Sequence, residues 1–250
     1  MSALRLGGIL DLSTVDWPGR PCAVVFLAGC NFRCPFCQNS SLIPLDSGSV
    51  VSVEAVKERL RGASMLVDAL HITGGEPTLQ PLGLEALCKA AREVGMAVGI
   101  NTNGSSPHVL EGLLEEGLVD HVAIDVKAPL DPDSYARATG VDGSWAVEVV
   151  KRSLEVLGRS RVVIEVRTTV VPGLIDREEV ASIVSQLPRH DYYVLNQFVP
   201  SESVPDPALR RAAATPRLKL IELAREALRR GAVNAYIRTR EAGLEKVEWG

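Results

Sequence analysis

Pro21-Cys-Ala-Val-Val-Phe-Leu-Ala28, followed at once by Gly29-Cys-Asn-Phe-Arg-Cys-Pro-Phe-Cys-Gln-Asn39, is the stretch from which the architecture can be read. A short apolar run rich in β-branched residues, bounded by Pro21 and Gly29, predicts a buried strand. Its C-terminal end opens into a polar loop crowded with cysteine. Further apolar runs occupy 68–73, 97–100, 121–126, 162–171 and 192–198, with a candidate last one at 233–237.

Segments of helical period lie between these runs, at the spacing of about 25–35 residues expected of βα units. Ser52 is placed to cap a helix through Arg61 whose apolar face is Val53, Val56 and Leu60. The pattern repeats over 84–94, where Gly95 stops it, and again over 107–116, 145–157, 177–187 and 216–230. Strict alternation of buried strands with amphipathic helices predicts an α/β fold with a parallel sheet. The repeat number suggests a partial (β/α)6 TIM-like barrel, and a doubly wound sheet fits the same pattern. The expectation is one domain over 1–250, with an extension at 1–20, a barrel core at 21–199, and a helix and possible last strand at 200–250. The Pro-rich loop at 200–207 is expected to be mobile or functional.

The chain of 250 residues, 46% hydrophobic, is long enough to bury a sizeable core. A formal charge of -4 offers polyanions no general attraction, so nucleic acid is not the default partner. No apolar run approaches the roughly 18 residues of a membrane span. The N-terminus, Met1-Ser-Ala-Leu-Arg-Leu6, does not read as a signal peptide, which points to the cytoplasm. Five cysteines, an odd number with three of them bunched, do not read as a disulfide framework. Metal binding or redox chemistry is the better expectation.

In barrels, active sites assemble from the loops after the strands. Here those loops are polar and rich in glycine: Thr73-Gly-Gly-Glu-Pro77 after the second run and Asn101-Thr-Asn-Gly104 after the third. Asp125-Val-Lys127 ends the fourth, and Arg167 lies in the fifth. Cys30, Cys34 and Cys37 form a C-x3-C-x2-C run. Three thiolates can hold three irons of a 4Fe–4S cube and leave the fourth iron open, whereas a structural zinc site wants four ligands. No fourth cysteine or histidine lies close in sequence. Gly74 and Gly75 would let backbone approach a ligand, and Glu76 or nearby carbonyls could accept from an ammonium. Asn101 and Asn103 offer amides for ribose hydroxyls, although an Asn-Gly turn explains the same residues. Lys127 could pair with a ligand carboxylate and Asp125 could orient it, with a solvated ion pair as the competing reading. Cys22 and Cys88 read as core thiols, and none of the histidines has an obvious partner.

The cysteine spacing, with Phe36 just before the last thiol, resembles the signature of the radical S-adenosylmethionine superfamily, and Gly74-Gly-Glu76 is similar to its GGE motif. The resemblance implies a 4Fe–4S cluster whose open iron chelates S-adenosylmethionine. It also implies reductive cleavage to a 5′-deoxyadenosyl radical that abstracts hydrogen from a substrate. Phe36, Gly74, Gly75, Glu76, Asn101, Asn103, Asp125, Lys127 and Arg167 become candidate cofactor contacts.

A narrower resemblance covers nearly the whole chain. Thr14-Val-Asp-Trp-Pro-Gly19 is similar to the TVDxPG segment of glycyl-radical-enzyme activating proteins. With Gly74–Gln80, Asp125-Val-Lys-Ala-Pro129, Tyr135-x4-Gly140 and Arg167-Thr-Thr-Val-Val-Pro172, it most resembles anaerobic ribonucleoside-triphosphate reductase activating proteins. That implies a glycyl radical enzyme as partner, its reactive loop entering the barrel from the side, and a flavodoxin- or ferredoxin-type reductant. Two positions depart from the pattern: Gln38 stands where relatives commonly carry histidine, and Asn101 where they often carry aspartate. Both leave the cluster and cofactor residues intact and bear on which partner is served. A radical enzyme acting on a small molecule or an RNA base is the alternative. A non-catalytic metal-binding or electron-transfer module is a third reading.

Overall fold

A computed structural model describes residues 2–249. Its ten strands form one sheet, β1 (Ala3–Ser13), β2 (Cys22–Leu27), β3 (Ser49–Ser52), β4 (Ala69–Gly74), β5 (Ala97–Thr102), β6 (His121–Asp125), β7 (Val163–Val170), β8 (Tyr192–Gln197), β9 (Ala235–Thr239) and β10 (Gly243–Val247). The spatial order is β10-β9-β8-β7-β6-β5-β4-β2-β1-β3. From β2 to β9 every neighbour pair is parallel, while β1, β3 and β10 add antiparallel flanks. The sheet does not close, and the result is the partial α/β barrel expected rather than a doubly wound sheet.

Helices follow the strands as the periodicity predicts. They are α1 (Val53–Ala63), α2 (Pro81–Glu93), α3 (Pro107–Glu115), α4 (Pro132–Thr139), α5 (Gly143–Gly158), α6 (Arg177–Gln186), α7 (Pro207–Arg210) and α8 (Arg217–Arg229). Ser52 caps α1 by accepting from the Ala55 N–H, a contact worth about 1 kcal/mol. Outward residues of the parallel strands, such as Ile72, Ile100, Ile124 and Val166, pack with Leu87, Leu110, Val150 and Leu154 of the helices in one core. Each contributes about 1.5–3 kcal/mol by leaving water.

The structure departs from the sequence reading at the flanks. Most of the supposed extension at 1–20 is strand β1, eleven residues long and paired to both β2 and β3. Gly7-Gly8 and a register shift between Leu6 and Gly8 break its alternation, which hid it. Helix α4 is short, capped by the Asp131 side chain and ended by Gly140 in left-handed backbone at φ +67°. No helix among the described residues is long and apolar enough to cross a membrane.

Candidate active site

The cysteine loop leaves β2 and is held from three directions. Toward β4, Gly75 and Glu76 donate their N–H groups to the carbonyls of Leu27 and Gly29, at 2.8 and 2.7 Å. A Cβ on Gly75 would sit 2.2 Å from the Gly29 oxygen, and Gly74 has φ +123°, so only glycine permits this approach. Toward α4, Arg33 N–H donates to the Thr139 carbonyl at 2.7 Å, beside the Gly140 turn. This is what the Tyr135-x4-Gly140 pattern builds. On the third side the loop meets residues 199–206, described below.

Phe32, Cys34 and Phe36 are buried in the main core, whereas Cys30 and Cys37 are half-buried. Burial pushes the Cys30 thiol up to about 11 and Cys34 up to about 12, and raises Cys37 as well. A charge on one thiol further raises its neighbours. Three cysteines on one short loop, beside a backbone cradle that admits no Cβ, are a donor set that fits a 4Fe–4S cluster taking three protein ligands. Binding iron as thiolates then displaces their protons.

Glu76 is fully buried. One carboxylate oxygen accepts from Thr78 N–H (3.0 Å), Thr78 Oγ1 (2.6 Å) and Thr102 Oγ1 (2.7 Å), and the other from Asn103 N–H (2.6 Å). Burial pushes its pKa up, against those four donors. The carboxylate is therefore committed to joining the β4 and β5 loops. Asn103 Nδ2 lies 3.9 Å from Cys30 Sγ and 3.0 Å from Asn31 Oδ1, so it does reach the cluster loop.

Lys127 falls two residues past the end of β6, yet its Nζ reaches Asp125 Oδ2 at 3.0 Å. Both side chains are less than one-fifth exposed, so this is not a solvated surface pair. Burial works against the Lys127 charge, but Asp125 and the Cys34 and Cys37 thiolates outweigh it and raise its pKa. An ammonium held facing the cysteines suits a ligand carboxylate. Phe36 lies in the apolar core, consistent with a positioning part.

Asn101 and Arg167 lie in a polar chain that lines the inner face of the sheet. Asn101 Nδ2 donates to Asp125 (3.4 Å), and its Oδ1 accepts from Arg167 (3.2 Å). Arg167 also donates to Glu165 (2.6 Å) and to the Asp16 carbonyl (2.8 Å), so three of its five N–H groups are engaged within the chain. Sequence reasoning missed Glu165, Arg238, His121 and Trp17. Glu165 is fully buried; burial alone would raise it, but Arg167, His121 and Arg238 hold it well below the usual carboxylate range. His121, read as lacking a partner, sits 3.1 Å from Glu165 and stacks on Trp17 at 4.8 Å. An acidic residue two positions before an arginine in an apolar strand was the available signal, because both face the same side. Trp17 also explains the TVDxPG segment, which lays an indole under the inner face and a carbonyl against Arg167.

Residues 24–187 match the radical SAM superfamily. A Methanocaldococcus jannaschii protein, provisionally named as a glycyl-radical enzyme activating enzyme, is 36% identical over 81% of this chain and 83% of its own. The pyruvate formate-lyase-activating enzyme of Clostridium pasteurianum is 30% identical over 70% of this chain and 72% of its own. A 7-carboxy-7-deazaguanine synthase of Hyperthermus butylicus is 34% identical over 65% and 74%. With its cysteine loop, glycine cradle and partial barrel, the chain belongs to the radical SAM superfamily, whose members use a 4Fe–4S cluster with S-adenosylmethionine.

Proposed function

We propose that this protein installs a glycyl radical on a partner enzyme of the anaerobic ribonucleotide reductase kind. The observation that carries this reading is the 36% identity, across four-fifths of the chain, to a protein provisionally named for glycyl-radical enzyme activation. The Thr14–Gly19 segment and the unclosed sheet support it, since an open inner face suits a substrate that arrives as a polypeptide loop.

A 4Fe–4S cluster with S-adenosylmethionine bound there would supply one-electron cleavage of the cofactor's carbon–sulfur bond, with the electron from a flavodoxin- or ferredoxin-type reductant and methionine released, and would thereby exchange a glycine Cα hydrogen atom for a glycyl radical and 5′-deoxyadenosine. Cys30, Cys34 and Cys37 hold the irons as thiolates. Gly74 and Gly75 would offer backbone carbonyls to the methionine ammonium, and Lys127, steadied by Asp125, would bind its carboxylate. Asn103 reaches toward the nucleoside from beside Cys30. Glu76 would position Asn103 through its backbone N–H, and Arg167 steadies Asn101.

Anaerobic incubation of the reconstituted protein with a reductase-type glycyl radical enzyme, reductant and S-adenosylmethionine tests the proposal. The expected result is a protein-based radical by electron paramagnetic resonance, matched by 5′-deoxyadenosine. Likeness to a deazaguanine synthase favours a second reading, a small-molecule substrate. That reading predicts cleavage stimulated by the small molecule, with no radical on any glycyl radical enzyme offered.

A further inference from the structure

The segment after β8 crosses back onto the cysteine loop, more than 160 residues away in sequence. Gln38 Nε2 donates to the Val199 carbonyl at 2.9 Å, and Ser203 Oγ returns a hydrogen bond to the Gln38 carbonyl at 2.8 Å. Ser40 Oγ donates to the Ser203 carbonyl, and Asp206 N–H donates to the Pro35 carbonyl at 3.0 Å. These bonds fall at Pro35, Gln38 and Ser40, so they bracket Cys37 on both sides.

The segment itself is anchored. Val204 and Phe198 are fully buried in the main core. Thr215 N–H donates to Phe198 and its Oγ1 to Val170, while Arg210 closes the far end on the Val204 and Pro205 carbonyls. The Pro-rich loop, expected to be mobile or functional, is pegged in the core through Val204 and laid along the cysteine loop. Gln38 itself is exposed, so its amide has no packing reason to take this pose.

We propose that residues 199–206 are a brace for the cluster loop, with Gln38 and Ser203 as its positioning residues. By holding Cys37 in register with Cys30 and Cys34, the brace slows the local opening through which water and oxygen reach the irons. Local opening of a loop is an equilibrium set by its few tertiary bonds, so each bond lost multiplies the open fraction. One hydrogen bond of ordinary strength corresponds to roughly fivefold. The inference rests on the cluster and not on the choice of partner.

The test compares wild type with Ser203→Ala, Gln38→Ala and the double variant, each reconstituted anaerobically. Two readouts are used: the rate of iron loss to an excess chelator, and the rate of bleaching of cluster absorbance in air. The brace predicts iron content near wild type after reconstitution, with loss and bleaching about fivefold faster in each single variant and faster again in the double. Ser203→Thr, which keeps the hydroxyl, restores the wild-type rate. Thermal unfolding of the metal-free proteins moves little, because Gln38 and Ser203 lie outside the core. Unchanged rates in both single variants overturn the proposal. So does a rate increase that Ser203→Thr fails to rescue, or one that follows the unfolding temperature of the metal-free protein. Failure of the glycyl radical experiment would leave these rates unaffected.

Discussion

The Glu76 carboxylate accepts the Asn103 backbone N–H at 2.6 Å, and that bond ties the glycine turn after β4 to the amide loop after β5. Four buried donors converge on this carboxylate, two of them from the β5 loop. The two loops that flank the cysteines are thereby joined by a group that need not meet the ligand.

Glu76→Gln replaces one acceptor oxygen by a donor amide among those donors. It should destabilise the fold by about 1–3 kcal/mol, the cost of leaving a buried donor unmet. S-adenosylmethionine affinity should fall with it, because the cradle and Asn103 lose their common anchor. Denaturant unfolding and calorimetric titration measure the two. Lower stability with unchanged affinity would confine Glu76 to a folding role.

Cys34→Ala should abolish reductive cleavage and leave a folded barrel. The Cys34 side chain packs in the apolar core, so alanine removes only one sulfur's contacts there. Far-ultraviolet circular dichroism should match wild type while iron retention fails. Retained 5′-deoxyadenosine formation would contradict the cluster assignment.

Lys127→Met should weaken S-adenosylmethionine binding by roughly ten- to a hundredfold, the loss of one charge-assisted hydrogen bond. Iron content should change far less. Asp125 is then left buried without its partner, so Lys127→Met with Asp125→Asn should recover stability without recovering affinity. Equal affinity in all three proteins would remove Lys127 from the ligand site.

Stability should fall on acidification below about pH 6.5, the ordinary histidine range. His71 is held neutral by burial, with Arg167 adding to the effect, and burial likewise lowers His121 in spite of Glu165. The unfolded chain therefore takes up protons that the folded chain refuses, so stability drops as pH falls, by up to about 1.4 kcal/mol per pH unit for each histidine. His71→Leu should remove one proton's share of that slope, and His71 has no hydrogen-bond partner to lose. Denaturant midpoints between pH 7 and 5 give the slope, and an identical slope in the variant would reject the assignment.

Several elements were legible without coordinates. The strand from Cys22, the capped helix from Ser52 and the apolar runs that became β4 to β8 follow from period, turn residues and caps, which are local. The cysteine loop and the glycine turn were legible too, because their chemistry depends on residue type at short spacing. Strand β1 was not, since its pairing to β2 and β3 overrides a Gly-Gly break that local propensity reads as irregular. Helix α4 was hidden by its brevity.

The sequence by itself determined the α/β class and pointed to the three cysteines and the loops of the candidate site, since each rests on neighbours in the chain. Only the tertiary structure decided what the remaining side chains do. It tied Glu76 to the β5 loop and Arg167 to Glu165, gave His121 its glutamate and Trp17, and laid a distant Pro-rich loop along the cysteine loop. The physical reason is that a buried carboxylate or guanidinium must spend its hydrogen bonds on whatever the fold brings within reach. Those partners come from strands and loops far apart in the chain, and spacing carries no record of them.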